Sequence, residues 1–350
     1  MACRGPAVAY ASAVWRVTVA VLACMALVAG GCAGVTPPGS GQQATPAVAA
    51  SAPAASVRPS PKPDTFRIVG YALDSDGAVE QIRFDELTHV NYAFLIPHSD
   101  GTVADLVNPW KLEEIVARAH ASGVRVLVSV GGWGWDDEFE AMAADPAHRA
   151  TFVGVLRGFV ADHALDGIDI DWEYPDPGQS SVNYRALMTE LRAALPPGGL
   201  LTSAVVAEGS TGYGIPAEVF PLVDFLNVMA YDAPGSSHSP LAYAEESLGY
   251  WSGRGLPREK TVLGVPFYSR PTEVPYRKLV ATDPIAASVD SIDYLGTTVN
   301  YNGIATMRAK TQLAMRDASG VMIWALPHDT SDATSLLGAI FAAAHGGGGP

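Results

Sequence analysis

Short apolar stretches alternate with longer amphipathic stretches through residues 64–345. The apolar stretches are rich in Val, Ile and Leu, a composition typical of strands buried on both faces of a parallel sheet. Between them, stretches such as PWKLEEIVARAHASG and DPAHRATFVGVLRGFVADHAL carry apolar residues at helical spacing. Eight such strands, each followed by a helix, predict one α/β domain folded as a (β/α)8 TIM barrel. The predicted strands read FRIVGYAL, HVNYAFLI, VRVLVSV, DGIDIDW, LLTSAVV, FLNVMAY, TVLGVPF and GVMIWAL.

The first 63 residues have a different composition, with no Asp or Glu. Arg4 and Arg16 precede an apolar stretch, VTVAVLACMALVAGGC, that is too short to span a bilayer comfortably. We therefore interpret residues 1–32 as a secretory signal peptide. Small residues before Cys32 resemble a bacterial lipobox, which makes Cys32 the predicted lipidation site. An ordinary signal peptide cleaved near Ala33 is the alternative interpretation.

Residues 33–63 are dense in Pro, Ala and Ser and show no apolar period. Such a segment cannot bury enough surface to fold, so we expect a disordered linker between the signal peptide and the domain. The protein is therefore expected to be extracytoplasmic, either secreted or anchored to a membrane by its N-terminal lipid. We expect no other contact with the membrane.

Charge and cysteine content narrow the chemistry of the domain. Cys3, Cys24 and Cys32 all precede residue 64, so the domain can form neither a disulfide nor a thiolate zinc site. His238 and His328 lack the spacing of metal ligands, and we expect no metal and no cofactor.

From residue 64 onward, the chain has 18 Lys and Arg residues against 36 Asp and Glu residues. This acidity disfavours nucleic acid as a partner but tolerates a neutral polymer; the domain is expected to be a monomer.

Three carboxylates alternate with apolar residues in DGIDIDWEYP, residues 166–175. Because side chains alternate between the faces of a strand, Asp169, Asp171 and Glu173 share one face. The apolar face must pack against the helices, so the carboxylates are predicted to point into the barrel. Crowding predicts that Asp169 and Asp171 share a proton, and the pKa of Glu173 is expected to be raised. A carboxylic acid that stays protonated near neutral pH suits general acid catalysis.

This strand resembles the DxxDxDxE signature of the family 18 glycoside hydrolases, the chitinases. SVGGW at 129–133, NVMAYD at 227–232 and MIWAL at 322–326 resemble further motifs of that family. The resemblance implies endo-hydrolysis of β-1,4-linked N-acetylglucosamine polymers such as chitin, with retention of configuration. In that mechanism the acetamido group of the substrate is the nucleophile, and no enzyme carboxylate takes that role.

The resemblance also implies a role for each polar residue of these motifs. Glu173 would be the general acid and later the general base. Asp171 would hold the acetamido N–H and stabilise the oxazolinium ion, with Asp169 as its proton-sharing partner. Tyr231 would donate its hydroxyl to the acetamido oxygen, and Asp232 would line the same pocket.

Aromatic and other residues near strand ends are expected to contact the sugar, because functional groups of a barrel gather at the C-terminal ends of its strands. An aromatic ring can stack against the flat C–H face of a sugar. Trp133 and Trp135 are either groove platforms or packing residues. The predicted substrate contacts are Met229, Trp324, Tyr71, Phe94, Trp133, Arg270 and Asp232.

Two departures from the family pattern bear on the shape of the groove. The seventh strand continues as YSR where the family usually has YGR. Only a short, irregular segment, residues 270–300, is predicted between strands seven and eight, where many chitinases carry a large inserted α+β subdomain. The absence of that subdomain predicts a shallow, open groove and favours endo cleavage.

Other functions stay open at this point. An endo-β-N-acetylglucosaminidase acting on glycans or peptidoglycan would use the same acid and the same acetamido chemistry. An inactive chitin-binding lectin would generally lack the acid, whereas Glu173 is present. A metal-dependent barrel enzyme would draw its carboxylate ligands from several strands rather than from one.

Overall fold

The computed structural model describes residues 66–235 and 237–346. The predicted signal peptide, the predicted lipidation site Cys32 and the predicted linker up to residue 63 lie outside the described residues. Within the described residues, no helix combines the length and the apolar composition that a membrane span requires.

Eight parallel strands close into a barrel, which confirms the predicted (β/α)8 fold. The strands follow one another around the barrel in chain order, with β10 closing the ring between β7 and β1. Their ends agree with the predicted apolar stretches to within two residues. The strands of the described residues are β1 Arg67–Leu73, β2 His89–Leu95, β3 Arg125–Gly131, β4 Gly167–Asp171, β5 Leu200–Val206, β6 Phe225–Met229, β7 Thr261–Pro266, β8 Ser291–Tyr294, β9 Thr297–Asn300 and β10 Gly320–Trp324.

In the part of the chain that the structure describes, eight α-helices surround the barrel or lie beyond its strand ends. Buried apolar residues between helices and strands form a continuous layer outside the barrel. Burial of each large apolar side chain in this layer contributes about 1.5–3 kcal/mol. The helices are α1 Pro109–Ala121, α2 Asp136–Ala144, α3 Pro146–Asp162, α4 Gln179–Ala194, α5 Leu241–Gly253, α6 Tyr276–Thr282, α7 Ile304–Asp317 and α8 Leu336–Ala344.

Two connections differ from the expectation that a helix follows every strand. Residues 74–88 and 207–224, all of them described, contain only 3-10 helices of three to five residues. In the first connection, non-helical backbone at Ile82 and Arg83 separates two such turns. The second contains Gly and Pro residues at close intervals, and these residue types interrupt an α-helix.

The segment between β7 and β10 is ordered rather than irregular, which corrects the prediction for residues 270–300. It contains α6 and an antiparallel hairpin of β8 and β9. Leu295 and Gly296 form the two-residue turn with φ of 55° and 85°, the left-handed backbone that such a hairpin requires. With four residues in each strand, this hairpin is small, and a bridge from Arg270 to Asn300 joins it to the end of β7.

The outward face of β4 anchors the strand that carries the acids. Ile168, Ile170 and Trp172 are buried in the apolar layer outside the barrel. The Trp172 ring stacks on Phe139 with centroids 5.1 Å apart, and its Nε1 donates a 2.7 Å hydrogen bond to Asp136. The position of Glu173, the next residue, therefore depends on an indole that is fixed by both packing and a hydrogen bond.

Candidate active site

Asp169 lies inside the barrel and accepts hydrogen bonds from side chains on four other strands, β1, β3, β5 and β6. Oδ2 accepts from the hydroxyls of Tyr71 at 2.7 Å and Ser129 at 2.8 Å. Oδ1 accepts from the Thr202 hydroxyl at 2.5 Å and the Asn227 amide at 3.3 Å. Burial raises the pKa of Asp169, and these four donors oppose that shift by stabilising the carboxylate.

Asp171 lies nearer the mouth of the barrel and is held differently. Its Oδ1 is buried without a hydrogen-bond partner among the described residues. Burial raises its pKa well above the usual range, and the charges of Glu173 and Asp169 add to the shift. The proton shared between Asp169 and Asp171 stays a prediction; both oxygens of Asp169 accept hydrogen bonds from neutral hydroxyl donors. Asp169 therefore acts on Asp171 through its charge.

Glu173 follows the end of β4 and lines a cavity at the mouth of the barrel. Burial raises the pKa of its carboxyl, and the nearby charge of Asp232 raises it further. The Tyr174 hydroxyl donates a hydrogen bond to Glu173 and partly offsets these effects. The carboxyl is therefore biased toward the protonated form in which it can act as an acid.

The end of β6 brings Tyr231 and Asp232 to the same cavity. Asp232 has the left-handed φ of 56° and receives two hydrogen bonds from Arg270, at 2.8 and 2.7 Å. The Tyr268 hydroxyl donates a third at 2.9 Å, and Nδ1 of His238 lies 3.0 Å from Oδ1. Burial alone would raise the pKa of Asp232, but these contacts outweigh it and hold the pKa well below the usual range. Asp232 is therefore a fixed negative charge.

An aromatic wall faces these polar groups. Trp324 stacks on Phe94 with centroids 5.5 Å apart and meets the edge of Tyr71 at 5.4 Å. Trp133 is 78% exposed at the rim, and its ring lies 6.5 Å from that of Tyr174. A hexose ring can stack on such a surface through its C–H face while its polar groups reach the carboxylates.

The turn after β3 brings Trp133 to this rim. Gly131 and Gly132 have φ of 110° and 88°, which other residues rarely adopt. A Cβ atom on Gly131 would lie 2.4 Å from the carbonyl oxygen of Asp171. Glycine at this position therefore lets the chain pass close to the acidic strand before it turns outward.

One cavity of about 680 Å³ contains all the predicted catalytic and substrate-contact residues except Asp169, which accepts hydrogen bonds inside the barrel below it. A larger cavity of about 1040 Å³, bordered by Arg83 and Trp110, contains none of them. The smaller cavity is therefore the candidate active site. Its predicted lining residues are Asp171, Glu173, Tyr231, Asp232, Met229, Trp324, Tyr71, Phe94, Trp133 and Arg270.

Sequence reasoning missed several residues that support the site. Asp169 is contacted by Ser129, Thr202 and Asn227. Each is a polar residue at an inward position of a largely apolar strand, and that pattern could have indicated them from the sequence. Tyr268 and His238 gave no such signal, because they contact Asp232 from loops. Trp135 was expected to be either a groove platform or a packing residue. The structure supports packing, because its ring is partly buried against the outer apolar layer.

The described part of the chain contains no group of three or more His, Cys, Asp and Glu side chains placed to hold a metal ion. The groups at the cavity instead form a proton donor, a carboxyl with an unoccupied acceptor atom, a buried phenol and an aromatic wall. Together they can protonate a leaving oxygen and stabilise a positive charge that develops beside it.

Comparison with known proteins agrees with this arrangement. Residues 67–329 match the profile described as Glycosyl hydrolases family 18. A probable endochitinase of Caenorhabditis elegans is 35% identical over 223 residues, which are 52% of this chain and 36% of that protein. The chain spans about half or less of the length of the first curated relatives it matches.

Solved structures agree in fold over more of the chain. A family 18 chitinase from the chitin utilization locus of Flavobacterium johnsoniae has a TM-score of 0.70 and 28% identity, and the match covers 80% of this chain and 94% of that one. A chitinase from Rhizomucor miehei has a TM-score of 0.69 and 26% identity, with 79% and 99% covered. With three quarters of its length matched by the family profile, this chain belongs to glycosyl hydrolase family 18.

Proposed function

We propose that the barrel hydrolyses β-1,4-linked N-acetylglucosamine polymers, such as chitin and its oligosaccharides, at internal linkages and with retention of configuration. The observation that carries the proposal is the buried Glu173 carboxyl, with its raised pKa, beside Asp171 and Tyr231 in one cavity. Membership of the family and the chitinase names of the relatives support it.

The first step breaks the glycosidic bond. An N-acetylglucosamine unit stacks on Trp324, and Glu173 donates its proton to the glycosidic oxygen. The acetamido oxygen of the same sugar attacks the anomeric carbon as the bond to the leaving sugar breaks. The leaving sugar departs with the proton as a free hydroxyl, and a bound oxazolinium ion remains.

Asp171 and Tyr231 assist the acetamido group during this step. The unpartnered Oδ1 of Asp171 is available to accept a hydrogen bond from the acetamido N–H, which orients the group for attack. The Tyr231 hydroxyl donates to the acetamido oxygen and sets its direction of attack. Asp169 stays fixed by its four donors, and its charge adds to the effect of burial, which is the main cause of the raised pKa of Asp171.

The second step restores the enzyme. Glu173, now a carboxylate, takes a proton from water as the water oxygen attacks the anomeric carbon. The oxazolinium ring opens and the acetamido group is regenerated. Because both displacements invert the anomeric carbon, the product keeps the original configuration.

The decisive experiment replaces the acid. Glu173→Gln is expected to lower kcat on chito-oligosaccharides by at least about 10²–10⁴-fold, the usual contribution of general acid catalysis. Oligosaccharide binding, measured by calorimetry, should persist. Glu113→Gln, at an exposed position of α1, is the control and should keep normal rates. Near-normal turnover by Glu173→Gln would refute the assignment of the acid.

An inhibitor tests the nucleophile separately. A thiazoline that mimics the oxazolinium ion should inhibit tightly, because Asp171 and Tyr231 are placed to bind that ion. If the thiazoline does not inhibit an active enzyme, a nucleophile on the protein is indicated instead.

Product analysis separates the chitinase from the related enzyme functions. Chito-oligosaccharides, glycopeptides and peptidoglycan are incubated side by side, and internal cleavage of the first alone supports the proposal. Release from glycopeptide or peptidoglycan would favour an endo-β-N-acetylglucosaminidase. Binding to chitin without any cleavage would favour a lectin.

We extend the proposal to the organisation of the whole chain. Residues 64–345 form the catalytic domain, and residues 33–63 are a linker that follows the signal peptide, residues 1–32. The protein is then extracytoplasmic and monomeric, either secreted or anchored through a lipid on Cys32. Cys32→Ser should move an anchored protein from the membrane fraction to the soluble fraction of an expressing bacterial host, and size-exclusion chromatography tests the monomer.

A further inference from the structure

Lys310 on α7 is a completely buried lysine whose hydrogen bonds all go to neutral oxygens. Its Nζ donates to the Ser239 carbonyl at 2.7 Å, the Ser239 hydroxyl at 2.6 Å and the Asn302 side-chain oxygen at 2.7 Å. Burial lowers the pKa of Lys310 to about 7. Placing an ammonium group in an apolar layer is unfavourable, so its three directed hydrogen bonds need an explanation.

Ser239 connects this lysine to the backbone beside the active site. It lies in the loop between β6 and α5, which also carries Tyr231 and Asp232. Its hydroxyl donates a 2.7 Å hydrogen bond to the carbonyl of Ala230, the residue immediately before Tyr231. The amide of Asn302 donates to the Ser239 carbonyl at 2.9 Å and so fixes the loop from a second side.

His238, the neighbour of Ser239, extends the connection to Asp232. Its backbone carbonyl accepts from the Ala233 N–H at 2.8 Å, which closes the loop on itself. Its ring places Nδ1 3.0 Å from Asp232 and Nε2 3.1 Å from the carbonyl of Tyr268. The position of Ser239 therefore fixes both the residue before Tyr231 and the histidine against Asp232.

We propose that Lys310, Asn302 and Ser239, here called the Lys310 clamp, are positioning residues that hold Tyr231 and Asp232 in the geometry needed for catalysis. None of the three lines the active-site cavity, so the clamp acts through the loop and touches no substrate. This inference rests on the proposed function for its kinetic consequences. A clamp that served only to join α7 to the barrel would affect stability and leave the chemistry unchanged.

Lys260 provides a matched control at the other end of the barrel. It lies immediately before β7, and its Nζ donates to the carbonyls of Phe220 at 2.9 Å and Val223 at 2.6 Å. Lys260 is half-buried, and this partial burial lowers its pKa. These acceptors precede β6, at the end of the barrel opposite the active site. Lys260 therefore joins neighbouring segments as Lys310 does, but away from the site.

The experiment compares Lys310→Met, Ser239→Ala and Lys260→Met in the full chain. For the two clamp variants we expect kcat on chito-oligosaccharides to fall by about tenfold or more, since small misplacements of catalytic groups have effects of this size. KM should change by less than about threefold, and affinity for the thiazoline mimic should fall with kcat. Lys260→Met should keep kcat within about twofold, even where its melting temperature falls.

Hydrogen exchange gives a readout that does not depend on activity. Amides of residues 230–240 should exchange faster in Lys310→Met than in the natural protein or Lys260→Met. Unchanged kcat in both clamp variants, or an equal loss in Lys260→Met, would overturn the inference, as would unchanged exchange. If Lys310→Met does not fold, Ser239→Ala, which removes one hydroxyl, decides. An inactive natural protein would refute the proposed function, while the exchange data would still test the clamp.

Discussion

The Tyr71 hydroxyl donates a 2.7 Å hydrogen bond to Oδ2 of Asp169 across the interior of the barrel, from β1 to β4. Asp169 in turn raises the pKa of Asp171 through its charge. Tyr71 also meets the edge of Trp324, the predicted floor of the sugar subsite. One phenol therefore fixes both an interior carboxylate and the aromatic surface above it.

Tyr71→Phe tests this relationship. Loss of the hydroxyl should raise the pKa of Asp169, since the hydrogen bond favours the carboxylate, and so weaken the charge behind Asp171. We expect kcat on chito-oligosaccharides to fall by about tenfold and stability by about 1 kcal/mol. Tyr184→Phe is the control, because the Tyr184 hydroxyl bonds Ser203 instead of a site carboxylate. It should lose similar stability and keep its kcat; equal kcat losses would contradict the relationship.

Asp171→Asn should stabilise the fold at neutral pH while it impairs turnover. The folded-state pKa of Asp171 is raised, so the native protein keeps a proton that the unfolded chain releases above about pH 4. The free energy of unfolding of the natural protein therefore falls as the pH rises above about 4, because the unfolded chain releases this proton and the folded chain keeps it. The asparagine variant has no such proton and should not show this fall.

Urea unfolding at pH 4 and pH 7 measures the difference. The variant should be more stable at pH 7 by at least about 1 kcal/mol, with a smaller advantage at pH 4. Asp105→Asn, at an exposed position, controls for the loss of a carboxylate. An advantage that is equal at both pH values would show that Asp171 is not held in a raised-pKa state.

Asp232→Asn should move the alkaline limb of activity to lower pH. The charge of Asp232 helps to raise the pKa of Glu173, which must be protonated to donate. Without that charge, and with Arg270 left cationic nearby, Glu173 should lose its proton at lower pH. The pH profile of kcat/KM for the residual activity measures the shift. Glu273→Gln, which removes another carboxylate that contacts Arg270, should leave the limb in place. A shift to higher pH would be incompatible with this electrostatic account.

Trp133→Ala should weaken binding of longer oligosaccharides. The ring is 78% exposed at the rim of the active-site cavity, so its removal leaves the apolar core intact. KM for oligomers of four or more units should rise about tenfold, equivalent to about 1.4 kcal/mol, with a small change in kcat. Trp110→Ala, exposed outside this cavity, should change neither. An unchanged KM for every oligomer would remove Trp133 from the binding surface.

The sequence predicted the barrel and the orientation of the acids because both depend on local patterns. Most barrel strands are short, largely apolar stretches, and the alternation in β4 forces Asp169, Asp171 and Glu173 to one side whatever the rest of the fold does. The aromatic end of β10 was predictable for the same reason, since Trp324 ends an apolar stretch.

The hydrogen-bond partners of those acids could not be predicted from local patterns. Tyr71 and Asn227 contact Asp169 from 98 and 58 residues away along the chain. The loop contact between His238 and Asp232 depends on left-handed backbone at both residues, with φ of 57° and 56°. Asp and His adopt this conformation more often than most residues other than Gly, but most Asp and His residues do not, so residue type alone did not predict it.

The alternation of β4 has a consequence for how this strand can change over time. Deleting or inserting one residue before Asp169 would exchange the two faces of β4. The carboxylates would then point into the apolar layer under the helices, and the isoleucines would point into the barrel. In a variant with such a length change, folding and catalysis would fail together. Single-residue length changes should therefore abolish both stability and activity when they fall within this strand.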